Sequence, residues 1–281
     1  MQTRNDSLTI AIVSYNSAEV IINSLGDFID QNAFPVVVVD NASQDGSAGT
    51  LRQRFPHIEV IALDTNIGYG RAANRVLQHC QSRYGLLLNP DISASVAGCE
   101  RLIELLEGEA NAAIIAPATD AKDAAQLPVR EKRWVIGAAL LFDMAKLRQL
   151  NFFDERIFLY YEEKDLCYRA WQAGYRVVLA PEVYFPHLRG KSTPASDANT
   201  YLRQWHVGWS SAYYNHKHGL DVGKRSLWRL RLGLWAKLIS NFDPAKQLKF
   251  RARLAGIAAF TRGEQAFDRN GQPNANARLK K

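Results

Sequence analysis

Between Leu8 and Leu88 the sequence alternates between two periods, and few folds accommodate that alternation. Short apolar runs at Leu8–Val13, Pro35–Val39, Glu59–Leu63 and Tyr84–Leu88 are separated by segments of helical spacing. The first such segment, Ala18–Gln31, repeats Val20, Ile21, Leu25, Phe28 and Ile29; a shorter one carries Leu51 and Phe55; a third covers Gly70–Gln81. The runs PVVVV and LLL are apolar on consecutive residues, so both faces of those strands must be covered. Strand and helix alternating in this way predict an α/β fold, a doubly wound and mostly parallel sheet with helices on both faces. Further on, Ala112–Ala116, Trp134–Asp143 and Arg176–Ala180 read as strands and Thr119–Arg133 as a polar loop.

In such sheets ligands bind beyond the carboxyl ends of the strands. The four strand ends here run into SYNS, DNASQDGS, DTNIGYG and NPD. Asp, Asn, Ser and Gly make turns in any protein. Four loops of that kind in succession, all on the ligand-binding edge, point to a binding site.

A chain of 281 residues with 47% hydrophobic and 22% charged residues has enough length and apolar content for a large globular core. No apolar run reaches membrane-spanning length, and the apolar stretch near the start is too short and too β-branched for a secretion signal. Cys80, Cys99 and Cys167 lack metal-ligand spacing and are an odd number for a disulfide framework, which suits a reducing cytoplasm. Charge is unevenly spread: residues 1–220 hold 21 Lys/Arg against 24 Asp/Glu, and residues 221–281 hold 14 against 4. The expected organisation is a main domain over 1–219, in halves 1–110 and 111–219. A basic amphipathic helical extension over 220–269 and a disordered tail over 270–281 follow. In the extension, residues 223–263 interleave Trp228, Leu232, Trp235 and Leu238 with Arg229, Arg231 and Lys237, and Pro244 divides two helices. Cationic helices with tryptophan suit a membrane interface. Packing on the main domain is the plain alternative, and nucleic acid is the least favoured partner.

The stretch YYEEKDLCYRAWQAGYRV crowds Glu162, Glu163 and Asp165 into four positions ahead of a helical run. Acids at a helix start are stabilised by its dipole by about 0.3–1 kcal/mol, which accounts for one or two of them but leaves a third. A rival signal is GYGRAA at Gly68–Ala73, which fits a dinucleotide fingerprint, with Asp91 about twenty residues on. Asp64–Ile67 intervenes where that fingerprint wants a tight turn, and Pro90 precedes Asp91. A nicotinamide-dependent enzyme therefore stays an alternative, as does a non-catalytic binding module. A nucleotidyltransferase would want a basic Gly-rich loop after the first strand, and SYNSAEV has none.

The pieces IAIVSYNS, VVVVDNASQDGS, NIGYGRAAN, LLLNPD, WVIGAALLFD, FDERIFLYYEEKDLCYRAWQAGYRV and HLRGKS, followed by SSAYYNHKHG, occur in one order over residues 8–219. In that order they resemble the family 2 glycosyltransferases of the GT-A fold, a Rossmann-like sheet, and within them the bacterial rhamnosyltransferase-like branch. The resemblance implies a nucleotide-diphosphate sugar bound over the first half of the sheet. Ser14 and Asn16 would line the nucleotide pocket, and Asp40 would accept a pyrimidine N3–H, since a carboxylate is an acceptor only. Asn66, Gly68, Arg71 and Asn74 would close the nucleotide side. Asn89-Pro90-Asp91 stands where the family has its Asp-x-Asp metal motif, with Asn in the first place. Asp91 and His187, the latter in HxxGxS, would then hold Mn²⁺ or Mg²⁺.

By the same resemblance Glu163 is the catalytic base, although relatives usually carry Asp there. Glu162 stays a candidate, and Asp165 is expected to brace the helix or hold a substrate hydroxyl. Trp134 and Gly137 fall on the acceptor side. The reaction implied is an inverting transfer of a sugar, rhamnose from dTDP-rhamnose in the first instance or a UDP-linked donor, to a saccharide acceptor that a lipid can carry, in cell-surface polysaccharide synthesis. Such an enzyme would sit on the cytoplasmic face of the inner membrane.

Overall fold

The computed structural model describes residues 6–125, 128–188, 196–223, 226–274, 277 and 278. The alternation of the first hundred residues becomes β1 (Leu8–Ser14), α1 (Ala18–Asp30), β2 (Val36–Asp40), α2 (Ser47–Arg54), β3 (Glu59–Ala62), α3 (Tyr69–His79) and β4 (Tyr84–Leu88). Then come α4 (Val96–Gly108), β5 (Ala112–Ala118), α5 (Ala121–Ala124), β6 (Arg130–Glu131), β7 (Ala139–Asp143), α6 (Met144–Gln149), α7 (Glu162–Gln172) and β8 (Arg176–Tyr184). Three helices follow: α8 (Asp197–Lys217), α9 (Leu227–Ser240) and α10 (Pro244–Thr261).

One sheet of eight strands runs in the order β3-β2-β1-β4-β7-β5-β8-β6. β3, β2, β1 and β4 are mutually parallel, β7 lies antiparallel between β4 and β5, and β8 returns parallel to β5. β1, β2 and β4 are buried along their whole length, as their unbroken apolar runs require. Leu8, Ile10, Ile12, Val38, Leu86 and Leu88 of these strands form one core with Ile21, Leu25 and Phe28 of α1.

The structure departs from the expected elements in three places. Trp134–Ile136 are not strand: Trp134 and Ile136 are exposed, and pairing begins at Ala139, where the chain meets Leu88. The expected polar loop Thr119–Arg133 contains α5, capped by Asp120 accepting from the Asp123 backbone N–H, and the short edge strand β6 against β8. α4 is an element beyond those expected: Cys99, Leu102 and Leu106 give it a buried face, and Ser95 Oγ caps it by accepting from the Gly98 backbone N–H at 3.1 Å.

The chain divides into two compact units. Unit 1 comprises Met1–Asn66, Arg71–Phe153 and Glu163–Thr193; unit 2 comprises Ile67–Gly70, Asp154–Glu162 and Pro194–Lys281. Unit 1 is the sheet with its helices. Unit 2 has its own core of Ile157, Phe158, Trp205, Trp209, Ala252 and Ala259. In it α8 packs tightly on α10, where a methyl group at Gly256 would collide with the Trp205 carbonyl oxygen. The described residues beyond Asn270, in a stretch expected to be disordered, make contacts within unit 2. Phe267 bridges Pro273, Asn274 Nδ2 donates to the Gln265 carbonyl at 2.9 Å, and Ala277 is buried.

Candidate active site

The loops beyond β1, β2 and β3 are tied together by their own polar side chains. Asn16, at φ 50°, receives the Gln44 backbone N–H on Oδ1 at 2.9 Å and donates its own backbone N–H to Ser43 Oγ at 2.7 Å. Ser14 and Ser17 share a hydroxyl hydrogen bond of 3.0 Å, and Asn41 Nδ2 donates to Asn66 Oδ1 at 3.1 Å. Asp40 lies buried beneath this network. Its Oδ1 accepts the Ser43 backbone N–H at 2.7 Å, whereas its Oδ2 has no partner among the described residues. A buried carboxylate oxygen without a donor is costly, so this atom is a ready acceptor for an N–H brought by a ligand.

The loop beyond β4 meets the end of β8. Ile92 and His187 form an antiparallel bridge, the Leu188 backbone N–H donates to the Asp91 carbonyl at 2.9 Å, and that of Ser93 to the Pro186 carbonyl at 3.0 Å. This clasp sets His187 Nε2 3.1 Å from Asp91 Oδ1, with Asp91 buried and His187 half-buried. Gly190 and Ser192 of the HLRGKS motif lie outside the described residues. No group of three or more His, Cys, Asp or Glu converges as a metal cage among the described residues. A carboxylate with one imidazole nevertheless fits Mn²⁺ or Mg²⁺, which take few protein ligands and fill the other positions with phosphate oxygens and water.

The same strand end leads to Glu163. The Asn89 backbone N–H donates to the Ala138 carbonyl at 2.9 Å, and the neighbouring Gly137 lies flat against Glu163, where a methyl group would meet Glu163 Cβ at 3.3 Å. Asn89, Gly137 and Glu163 therefore form one contiguous line of contact two residues from Asp91. Protein atoms crowd the Glu163 carboxyl although part of the side chain stays open. The lost hydration raises its pKa above the usual 4.5, against the lowering influence of nearby backbone N–H groups and Lys164. Trp134 stays exposed beside this helix, with Lys164 Nζ 4.4 Å from its ring centre.

Three expected residues have other occupations. Asp165 is fully buried and bound by Arg169 Nε at 2.8 Å; the same guanidinium donates to the Leu150 and Phe152 carbonyls. These bonds tie Asp165 to the next turn of α7, and its carboxyl is closed off from solvent. Asn74, expected on the nucleotide side, is buried and holds the Phe153 backbone with both ends of its amide, at 3.0 Å each. Gly68, at φ 86°, admits a close approach in unit 2: a methyl group there would lie 2.5 Å from the Phe158 carbonyl oxygen, which accepts the Tyr69 backbone N–H at 3.0 Å. This approach explains the dinucleotide-like glycine without a dinucleotide. Arg71 lies in the first turns of α3 and Glu162 in those of α7, where it is buried. Arg169 escaped the sequence reading, although its place four residues after Asp165 was a usable signal.

A sheet of this order, with polar loops at its carboxyl edge, is the fold of the GT-A glycosyltransferases. Residues 9–179 match glycosyl transferase family 2, and the chain belongs to that family. It is a glycosyltransferase. The sequence is 25% identical to N-acetylglucosaminyl-diphospho-decaprenol L-rhamnosyltransferase of Mycobacterium tuberculosis over 265 aligned residues, 73% of this chain and 86% of that protein. Among solved structures it is similar to the mannosyltransferase PcManGT from Pyrobaculum calidifontis, solved in complex with GDP-Man and Mn²⁺ (TM-score 0.60, 16% identity, 92% of this chain and 87% of that one). It is also similar to residues 1–349 of TarS from S. aureus in complex with UDP-GlcNAc (TM-score 0.55, 14% identity, 92% of each chain).

Proposed function

We propose that this glycosyltransferase moves rhamnose from dTDP-rhamnose, with inversion and with a divalent cation, to a saccharide carried on a lipid. The observation that carries the reading is the line of contact along the carboxyl edge of the sheet. It begins at the Asp91–His187 pair, passes through Asn89 and Ala138, and ends with Glu163 against Gly137.

Glu163 acts as general base, taking the proton of an acceptor hydroxyl as that oxygen bonds to the anomeric carbon. The bond from that carbon to the diphosphate oxygen breaks on the opposite face, so configuration inverts and the diphosphate leaves with the electron pair. Crowding around the Glu163 carboxyl makes it a stronger base than a solvated glutamate. Glu162, next to it on α7, remains the alternative base. Asp91 and His187 would hold the cation, which when bound supplies positive charge for the leaving diphosphate. Asp40 Oδ2 offers the acceptor that the imide N–H of thymine or uracil needs, while Ser14, Asn16 and Asn66 shape the surrounding loops. The open side of Trp134 suits stacking against an acceptor sugar. Rhamnose and a lipid diphosphate acceptor are supported by the name of the mycobacterial relative. An acceptor of that kind would be met at the cytoplasmic face of a membrane.

Thermal unfolding with dTDP-, UDP- and GDP-sugars, with and without Mn²⁺ or Mg²⁺, tests the donor site. A donor at one hundred times its Kd stabilises by about 2.7 kcal/mol, so the dTDP- or UDP-sugar should raise Tm in the presence of the cation. Asp91→Ala should remove that cation-dependent increment. A rise only with the GDP-sugar would reject the pyrimidine reading, and no rise with any donor would reject the site.

A further inference from the structure

We propose that α9 lies in the head-group layer of an anionic lipid bilayer, with Trp228, Leu232, Trp235 and Ile239 inserted and Arg229 and Arg231 against lipid phosphates. This helix has two apolar faces, and among the described residues only one of them is covered. Leu227, Leu230, Leu234 and Leu238 are half-buried and form one face, and within unit 2 the helix packs against α10. The other face holds Trp228, Leu232, Trp235 and Ile239, which are 59%, 57%, 49% and 73% exposed, and no residue of the helix is fully buried. At about 100° per residue those four side chains fall within an arc of about 60°. Phe242, just beyond the helix, extends the apolar surface. A contiguous apolar stripe of this kind marks an interaction surface.

Charge selects the occupant. At the same angular spacing Arg231 flanks one side of the stripe and Arg229 the other, and no Asp or Glu occurs between Asp221 and Asp243. The Arg229 guanidinium lies 5.0 Å from the Trp228 ring centre, an indole–cation pair suited to the boundary between head groups and acyl chains. A helix of 14 residues spans about 21 Å, too short for a hydrocarbon core of about 30 Å, and no described helix is long and apolar enough to cross a membrane. The helix therefore lies in the plane of the surface. The inference does not rest on the transfer reaction, since bilayer binding needs neither donor nor metal.

The test sediments the full-length chain with vesicles of phosphatidylcholine alone and of phosphatidylcholine mixed with phosphatidylglycerol, at low and physiological salt. The chain should partition at least tenfold more strongly onto the anionic vesicles, and less as salt screens the arginines. The double variant Trp235→Ser/Ile239→Ser should lose at least tenfold in partition; circular dichroism checks that it is folded. Arg229→Gln/Arg231→Gln, which leaves the apolar stripe intact, should lose affinity for the anionic vesicles only. Equal partition of the wild type and both variants overturns the proposal. So does a wild type that ignores both vesicles but self-associates through this face in the ultracentrifuge, with self-association lost in the serine variant; the occupant would then be a second copy. The donor-induced rise in Tm, measured on the same samples, separates failure of this inference from failure of the donor site.

Discussion

Asp91 and His187 are 96 residues apart in the chain and 3.1 Å apart in the fold, and neither residue is unusual alone. Their significance comes from Glu163 lying on the same line of contact. Replacing it by glutamine keeps the size and removes the proposed base: Glu163→Gln should bind donor with an unchanged Tm shift and lose transfer by 10²-fold or more. Normal turnover in that variant would move the base elsewhere. Because the proposed base works ionised and burial raises the Glu163 pKa, kcat/KM of the wild type should climb with pH through a midpoint above 4.5. A limb at or below the ordinary glutamate value would contradict the crowded carboxyl. A second buried group makes its own prediction about stability. His206 is fully buried in unit 2, stacked 4.7 Å from the Phe158 ring, and burial pushes its pKa down to about 3 from 6.5. The unfolded chain takes up a proton below pH 6.5 that the folded chain refuses, so folding loses stability as pH falls from 6.5 toward 3. Over that range the loss approaches about 1.4 kcal/mol per pH unit. In His206→Phe this slope should vanish in denaturant titrations at pH 5 and pH 8, whatever the absolute stability; an unchanged slope would show that His206 titrates freely.

At the scale of elements, the entrance to α7 shows how the acids are held. Tyr160 and Tyr161 both take left-handed backbone, at φ 65° and 75°, immediately before the helix begins at Glu162. Such conformations cost of order 1 kcal/mol or more each. In unit 2, Tyr160 Oη accepts from Arg203 Nε at 2.6 Å, and the Tyr161 ring packs 5.5 Å from Tyr214. In unit 1, Arg169 fastens the following turn through Asp165. Sequence spacing indicated a helix but could not indicate this entry, because nothing in a tyrosine pair signals positive φ. The α8–α10 contact gives a comparison between two glycines. Gly256→Ala drives a methyl group into the Trp205 carbonyl and should destabilise by about 3 kcal/mol, the upper end of overpacking costs. Gly233→Ala on α9 meets nothing within 4 Å and should stabilise by about 0.8–1 kcal/mol through helix propensity. Chemical denaturation of the two variants checks both signs, and equal effects would refute the close helix contact.

Over the whole molecule, the cysteines report on the sheet unit. Cys80, Cys99 and Cys167 sit on or beside different helices of unit 1, all buried and unpaired. Burial pushes the Cys80 thiol to about 11 and the Cys167 thiol to about 12, and raises Cys99 further. As protonated buried thiols they should resist an aromatic disulfide reagent in the native chain and react together on unfolding. Stoichiometric labelling of the native protein within minutes would contradict the packing of this unit. The sequence alone determined the α/β alternation, the central strands and the division between an acidic body and a basic extension. Each is a local consequence of which residues avoid water and at what period. Its motif order also announced the transferase family. Only the tertiary structure decided that β7 runs antiparallel from Ala139, that Asn74 holds the Phe153 backbone and Asp165 pairs with Arg169, and that Gly137 lies against Glu163. Those outcomes depend on backbone pairing and on which partner reaches a polar group first. Both are settled between residues far apart in the chain, where no local pattern records them.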